Sequence, residues 1–247
     1  EGQWSNPVYA DVNGKPQIIF PGGDGYLYGL EPKTGKMIWK FKCNPPQTDD
    51  DRGIPAYFIG TPVVYENRVY IGLGAYPDHS SPPKIGHFFC VDVTKTGDVS
   101  CKNENLDPKD PANKDSALVW HIGGMVKPAP KKGRKVQFGA TSSTAAIHDG
   151  LVYIAEQHGY LQCLDAKTGQ RYWEHDFKAA VFGSAYWVNG KIYVCAKDTQ
   201  CHIFEHGKEY QPPRSVEVDD SSDSAPVVAN GVLYILSPSK LWAIGAK

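Results

Sequence analysis

The run Gly150–Ile154 returns as Gly190–Val194 and again as Gly231–Ile235. Its tyrosines, Tyr153, Tyr193 and Tyr234, are spaced by 40 and 41 residues. Each copy is followed by a second apolar run: Gly159–Asp165, Thr199–Glu205 and Leu241–Ile244. A fixed period of this size means that one supersecondary unit is used repeatedly.

Each unit reads as short strands separated by turns. Asn13-Gly14, Asp149-Gly150, Asn189-Gly190 and Asn230-Gly231 sit at matching places, and such pairs mark tight hairpins because both residues tolerate positive φ. In Leu151–Ile154 every side chain is apolar or aromatic, as expected for a strand covered on both faces. Long helical patterns are missing. The expected fold is therefore all-β, a propeller of four-stranded antiparallel blades with almost no α-helix. Five repeats are read, over residues 6–43, 59–124, 140–178, 181–220 and 224–247, the last stopping after its third strand.

Charge excludes some functions. The 26 Lys and Arg balance 27 Asp and Glu, which gives no overall attraction for nucleic acid or an anionic membrane. No apolar run is long enough to span a bilayer. Gly22-Gly23-Asp24-Gly25 precedes no helix and makes no phosphate cradle. The eight histidines, including His121, His148, His158 and His175, are scattered, and none has metal-ligand spacing, so no metal site is expected. No nucleophile elbow is present.

The six cysteines take two readings. Cys90 and Cys163 share a repeat position with Gly29 and Ala243, a small buried site. Cys195 and Cys201 flank a hairpin turn and could face each other across two strands. Cys43 and Cys101 lie in irregular segments and could pair in an oxidising compartment. The pairing of these four stays open.

Three segments break the period: Cys43–Phe58, Gly74–Gly86 and Val99–Gln137. The end of the last, Val126–Gln137, contains Lys127, Lys131, Lys132, Arg134 and Lys135 with no acid among them. Loops on a rigid framework are where binding residues collect. A protein partner is expected on these insertions, with Tyr57, Tyr76, His79 and Arg134 as anchors, since Tyr and Arg bring area and donors to an interface.

Two stretches, Gly29–Trp39 and Cys163–Trp173, carry a small residue first, Gly at the seventh place (Gly35, Gly169) and Trp at the eleventh. In the second repeat Cys90 and Gly97 keep the first two features with one residue inserted, and Trp120 follows a long insertion. The fourth repeat departs, with Ile203 at the small position and no Trp. This motif resembles the tryptophan-docking repeat of pyrroloquinoline-quinone (PQQ)-type β-propellers, over nearly the whole chain. The resemblance implies six to eight blades, so this chain is expected to be a C-terminal portion of the ring. It implies structural roles for Gly29, Gly35, Trp39, Gly97, Trp120, Cys163, Gly169 and Trp173. Each indole is expected to lie against the next blade, with its N–H reaching a backbone carbonyl.

The resemblance also carries two functional classes. Quinoprotein dehydrogenases hold PQQ over a Trp floor with calcium, an aspartate base and adjacent cysteines. Other members bind no quinone and act as assembly scaffolds. This sequence has no Cys-Cys pair, so a non-catalytic binding or assembly module without cofactor is expected. The alternatives are a PQQ- and calcium-dependent oxidoreductase or an accessory subunit of a redox complex. The compartment implied is periplasmic or secreted, with any signal peptide outside this chain.

Overall fold

The computed structural model describes residues 4–44, 57–74, 85–102, 105–128 and 130–245. They divide into two compact units, Glu1–Thr141 and Ser142–Lys247. The helical content of the described residues is a single 3₁₀ turn at Pro111–Asn113.

The first unit holds two antiparallel meanders. One runs β1 (Val8–Val12), β2 (Lys15–Pro21), β3 (Tyr26–Leu30) and β4 (Met37–Lys42). The other runs β5 (Val63–Tyr65), β6 (Arg68–Leu73), β7 (His87–Asp92) and β9 (Leu118–Gly123). Between β7 and β9 the chain leaves its own sheet. Its short strand β8 (Gly97–Asp98) pairs in parallel with β4, so the first sheet has five strands rather than the expected four. Gly97 makes the necessary turn at φ +87°. Lys40 then pairs with Asp98 at 3.3 Å, and Val99 donates its N–H to the Lys40 carbonyl at 3.0 Å.

The second unit begins with β10 (Ala146–His148), β11 (Leu151–Ala155), β12 (Tyr160–Asp165) and β13 (Arg171–Asp176). A second four-stranded sheet follows: β14 (Tyr186–Val188), β15 (Lys191–Cys195), β16 (Gln200–Glu205) and β17 (Arg214–Glu217). The last sheet has three strands among the described residues: β18 (Val227–Ala229), β19 (Val232–Leu236) and β20 (Leu241–Gly245).

The first hairpins turn as the sequence requires. Asn13, Asp149, Asn189 and Asn230 have φ between +46° and +52°, each followed by a positive-φ Gly. In the second repeat Glu66 and Asn67 adopt the same left-handed pair without any glycine, at +48° and +58°. That turn carries no sequence signature.

The cores lie between successive sheets of one unit. In the first, Trp39, Phe41, Val69, Ile71, Phe89 and Val91 form one buried cluster. In the second, Tyr153, Leu161, Trp173, Ile192 and Phe204 form another, and all five residues of β11 are buried. A smaller cluster joins Cys195, Cys201, Val218 and Ile235.

Candidate functional site

The three motif tryptophans occupy one register position. Trp39 pairs with Gly29, Trp120 with Cys90 and Trp173 with Cys163. A β-bulge follows in each case, at Gly29/Leu30, Cys90/Val91 and Cys163/Leu164. A bulge re-aims the side chains beside it, so all three indoles stand at the same kink of the outer hairpin. Gly35 and Gly169 close the turns before them at φ +70° and +72°.

Their hydrogen bonds differ. Trp173 donates its indole N–H to the Gly207 carbonyl at 3.0 Å and stacks on Phe204 at 5.8 Å. Trp39 donates instead to the Gln17 side chain at 2.8 Å, and Gln17 Nε2 passes the connection to the Val93 carbonyl at 3.2 Å. The carbonyl thus receives its bond through a relay rather than directly. Trp120 packs against Tyr70 and Phe88, with ring centroids 5.9 and 5.8 Å away. Cys90 and Cys163 are fully buried opposite their indoles, and burial pushes each thiol up to about 12.

The fourth repeat, which lacks the motif, makes different contacts. Its β16–β17 connection fastens onto the third repeat instead. Gly207 N–H donates to Tyr153 Oη at 2.9 Å, and Tyr210 Oη meets His175 Nδ1 at 2.9 Å.

The histidines that look scattered in sequence meet in space. His87 and His121 lie on β7 and β9, stacked at 4.9 Å, with a 2.7 Å hydrogen bond between His87 Nδ1 and His121 Nε2. Burial lowers His87 to about 4; burial and then its neighbour's charge lower His121 to about 3. Both rings are therefore neutral near pH 7, and His87 Nε2 is a buried nitrogen without a hydrogen-bond partner. In the second unit His148 stacks on Trp187 at 3.4 Å, and His206 closes the edge of both rings. His202 sits between Asp198 at 2.9 Å and Ser215 at 3.0 Å. Asp198 also accepts from Gln200 N–H, so this line of groups braces the β15–β16 turn against β17. The signal that could have located these pairs is their register across neighbouring strands; linear spacing hides it.

The expected contact residues fall in different settings. Tyr57 is half-buried and forms a two-bond bridge with Gly74, at 2.8 and 3.0 Å. Arg134 is half-buried in a narrow hairpin, closed by a Met125–Val136 bridge and by Val126 N–H donating to the Lys135 carbonyl at 2.8 Å. Lys127, Lys131, Lys132 and Lys135 are exposed on it. Tyr76 and His79 lie outside the described residues. One part of the Val99–Gln137 segment is turned inward: Val99, Ala117 and Leu118 are buried in the first unit's core. Between them Asn113 and Ser116 are buried, while Asp107, Pro108, Lys109, Pro111, Lys114 and Asp115 are exposed.

No two of the six cysteines are adjacent in sequence. The indoles of Trp39 and Trp173 are spent in packing between strands.

Residues 109–244, more than half of the chain, match a family model described as outer membrane protein assembly factor BamB. The chain belongs to this family. No curated protein matches it by sequence. Among solved structures it is similar to BamB from Moraxella catarrhalis, with 15% identity, a TM-score of 0.68, and coverage of 98% of this chain and 58% of that one. It is similar to a europium-containing methanol dehydrogenase at 12% identity and a TM-score of 0.61, covering 94% and 51%. It is also similar to the quinohemoprotein alcohol dehydrogenase of Comamonas testosteroni at 13% identity and a TM-score of 0.58, covering 89% and 42%. These likenesses show the fold, a β-propeller of PQQ-like repeats. The chain spans about half the length of the structures it matches. No helix among the described residues is long and apolar enough to cross a membrane.

Proposed function

We propose that this chain is a non-catalytic, protein-binding part of an extracytoplasmic assembly factor. The observation that carries the reading is the BamB family match over residues 109–244, a span that includes the basic hairpin at 125–136. The family's name describes outer-membrane protein assembly, and such a role asks for a rigid framework with an exposed contact element. Stacked sheets with buried cores supply the framework. The hairpin supplies four exposed lysines and the half-buried Arg134, and Tyr57 stands at the end of another insertion. The proposal includes no cofactor and no dehydrogenase activity, because the vicinal cysteines of the quinone enzymes are missing from this sequence.

The test has two arms. The purified chain is titrated with an unfolded outer-membrane β-barrel polypeptide in low urea, and separately with PQQ and calcium. The reading expects saturable polypeptide binding and no quinone band retained through gel filtration. A retained band with alcohol-dependent dye reduction would replace it with the oxidoreductase reading.

A further inference from the structure

Among the six cysteines, Cys195 and Cys201 are held directly opposite each other in strand register, on β15 and β16. The local ladder fixes which kind of pair they form. Ala196 N–H donates to the Gln200 carbonyl at 3.1 Å, and His206 N–H donates to the Gly190 carbonyl at 2.9 Å. Hydrogen-bonded and non-hydrogen-bonded pairs alternate along an antiparallel ladder. Counting from either bond, Cys195 and Cys201 fall on a non-hydrogen-bonded pair. There the Cα atoms approach to about 4.5 Å and the two side chains rise on the same face. That separation lies inside the range of roughly 4.4–6.8 Å that a disulfide accepts.

Both thiols are free in this structure and 1% exposed. They lie under Val218 and Ile235, with Leu233 and Trp242 packed against the same cluster. The cover comes largely from the last sheet, whose strand β20 is the most exposed in the chain's second unit apart from β17. Elements with few buried contacts open first, so the pair becomes reachable without unfolding the third and fourth sheets. The two sulfurs also interact. The bond from Cys201 lowers the Cys195 thiol, with a further contribution from Ser222, while Cys201 is pushed up by the same bond and by burial. Cys195 is the better thiolate, and the thiolate is the nucleophile.

We propose that Cys195 and Cys201 are a redox-modification site, a dithiol that closes as a cross-strand disulfide on reaction with a small-molecule disulfide. Cys195 Sγ, as thiolate, attacks one sulfur of oxidised glutathione. A mixed disulfide forms and one glutathione thiol leaves. Cys201 then loses its proton and attacks Cys195 Sγ, expelling the second glutathione thiol. The protein loses two electrons and two protons, and one glutathione disulfide becomes two thiols. The product staples the β15–β16 hairpin, whose turn is already braced by Asp198 and His202.

The test uses the full chain, incubated with oxidised or reduced glutathione at neutral pH. The expected mass is lower by two hydrogens, with no glutathione adduct. Trypsin cuts after Lys197, between the two cysteines, so the two flanking peptides should migrate together until reduced. The oxidised protein should also melt at a higher temperature, and C195S/C201S should abolish both changes. Should that variant fail to fold, the peptide map of the unaltered chain decides alone. A stable glutathione adduct, an unchanged mass after prolonged oxidation, or a link between other cysteines would overturn the proposal.

Discussion

Gly29 lies directly beneath Trp39: a Cβ placed on Gly29 would come within 2.1 Å of the indole Nε1. The equivalent partners of Trp120 and Trp173 are cysteines. The first repeat therefore lets its indole sink further, where it is fully buried and bonds to Gln17. Gly29→Ala should push Trp39 outward and break that bond. Overpacking of this kind costs about 1–3 kcal/mol. Denaturant unfolding should register that loss, with a red-shifted tryptophan emission.

Trp173 separates packing from hydrogen bonding. Trp173→Phe keeps most of the stack on Phe204 but removes the N–H donated to Gly207. It should cost about 0.5–1.5 kcal/mol for the lost hydrogen bond, since the half-buried Gly207 carbonyl keeps the Cys163 thiol as a donor at 3.7 Å. Trp173→Ala should cost about 3–5 kcal/mol. Chemical denaturation of the two variants checks the order: no loss in Trp173→Phe would mean the hydrogen bond contributes nothing, and equal losses would mean the retained stacking contributes nothing.

His87 and His121 predict an acid-sensitive first unit. Their folded values, about 4 and about 3, lie below the ordinary 6.5. Between the unfolded and folded values the unfolded chain binds more protons, so stability falls as pH drops from 6.5 through 4. It is fully present above 6.5, where both states are neutral. Each unit of separation corresponds to about 1.4 kcal/mol, giving a loss on the order of a few kcal/mol. His121→Phe should flatten this slope, measured as the difference between the two proteins' unfolding free energies at pH 7 and pH 4.5.

The second repeat's first turn is strained by its sequence. Glu66 holds φ +48°, a conformation that costs a non-glycine residue roughly 1–2 kcal/mol and that Asn tolerates better. Glu66→Asn should therefore stabilise the protein by up to about 1 kcal/mol. A melting temperature at or below that of the unaltered chain would argue against strain there.

How far sequence reached is clear from these sites. The Asn-Gly turns, the Tyr-containing strands and the shared register of Trp39, Trp120 and Trp173 follow from periodic spacing, because blade geometry repeats with the sequence. The crossing of β8 into the first sheet was not readable. It depends on Gly97 turning the chain toward a strand more than fifty residues away, and no local pattern encodes that target. The histidine pairs were hidden for the same reason: His87 and His121 meet only through the β7–β9 ladder, across a long insertion. Glu66-Asn67 shows a turn held by tertiary packing against its own local preference.

The most direct measurement is hydrogen exchange of the chain with and without a bound, unfolded outer-membrane β-barrel polypeptide. New protection is expected across the 125–136 hairpin and around Tyr57, with little change in the largely buried strands β11, β12 and β15. Protection confined to those regular strands, with the basic hairpin still exchanging freely, would contradict it.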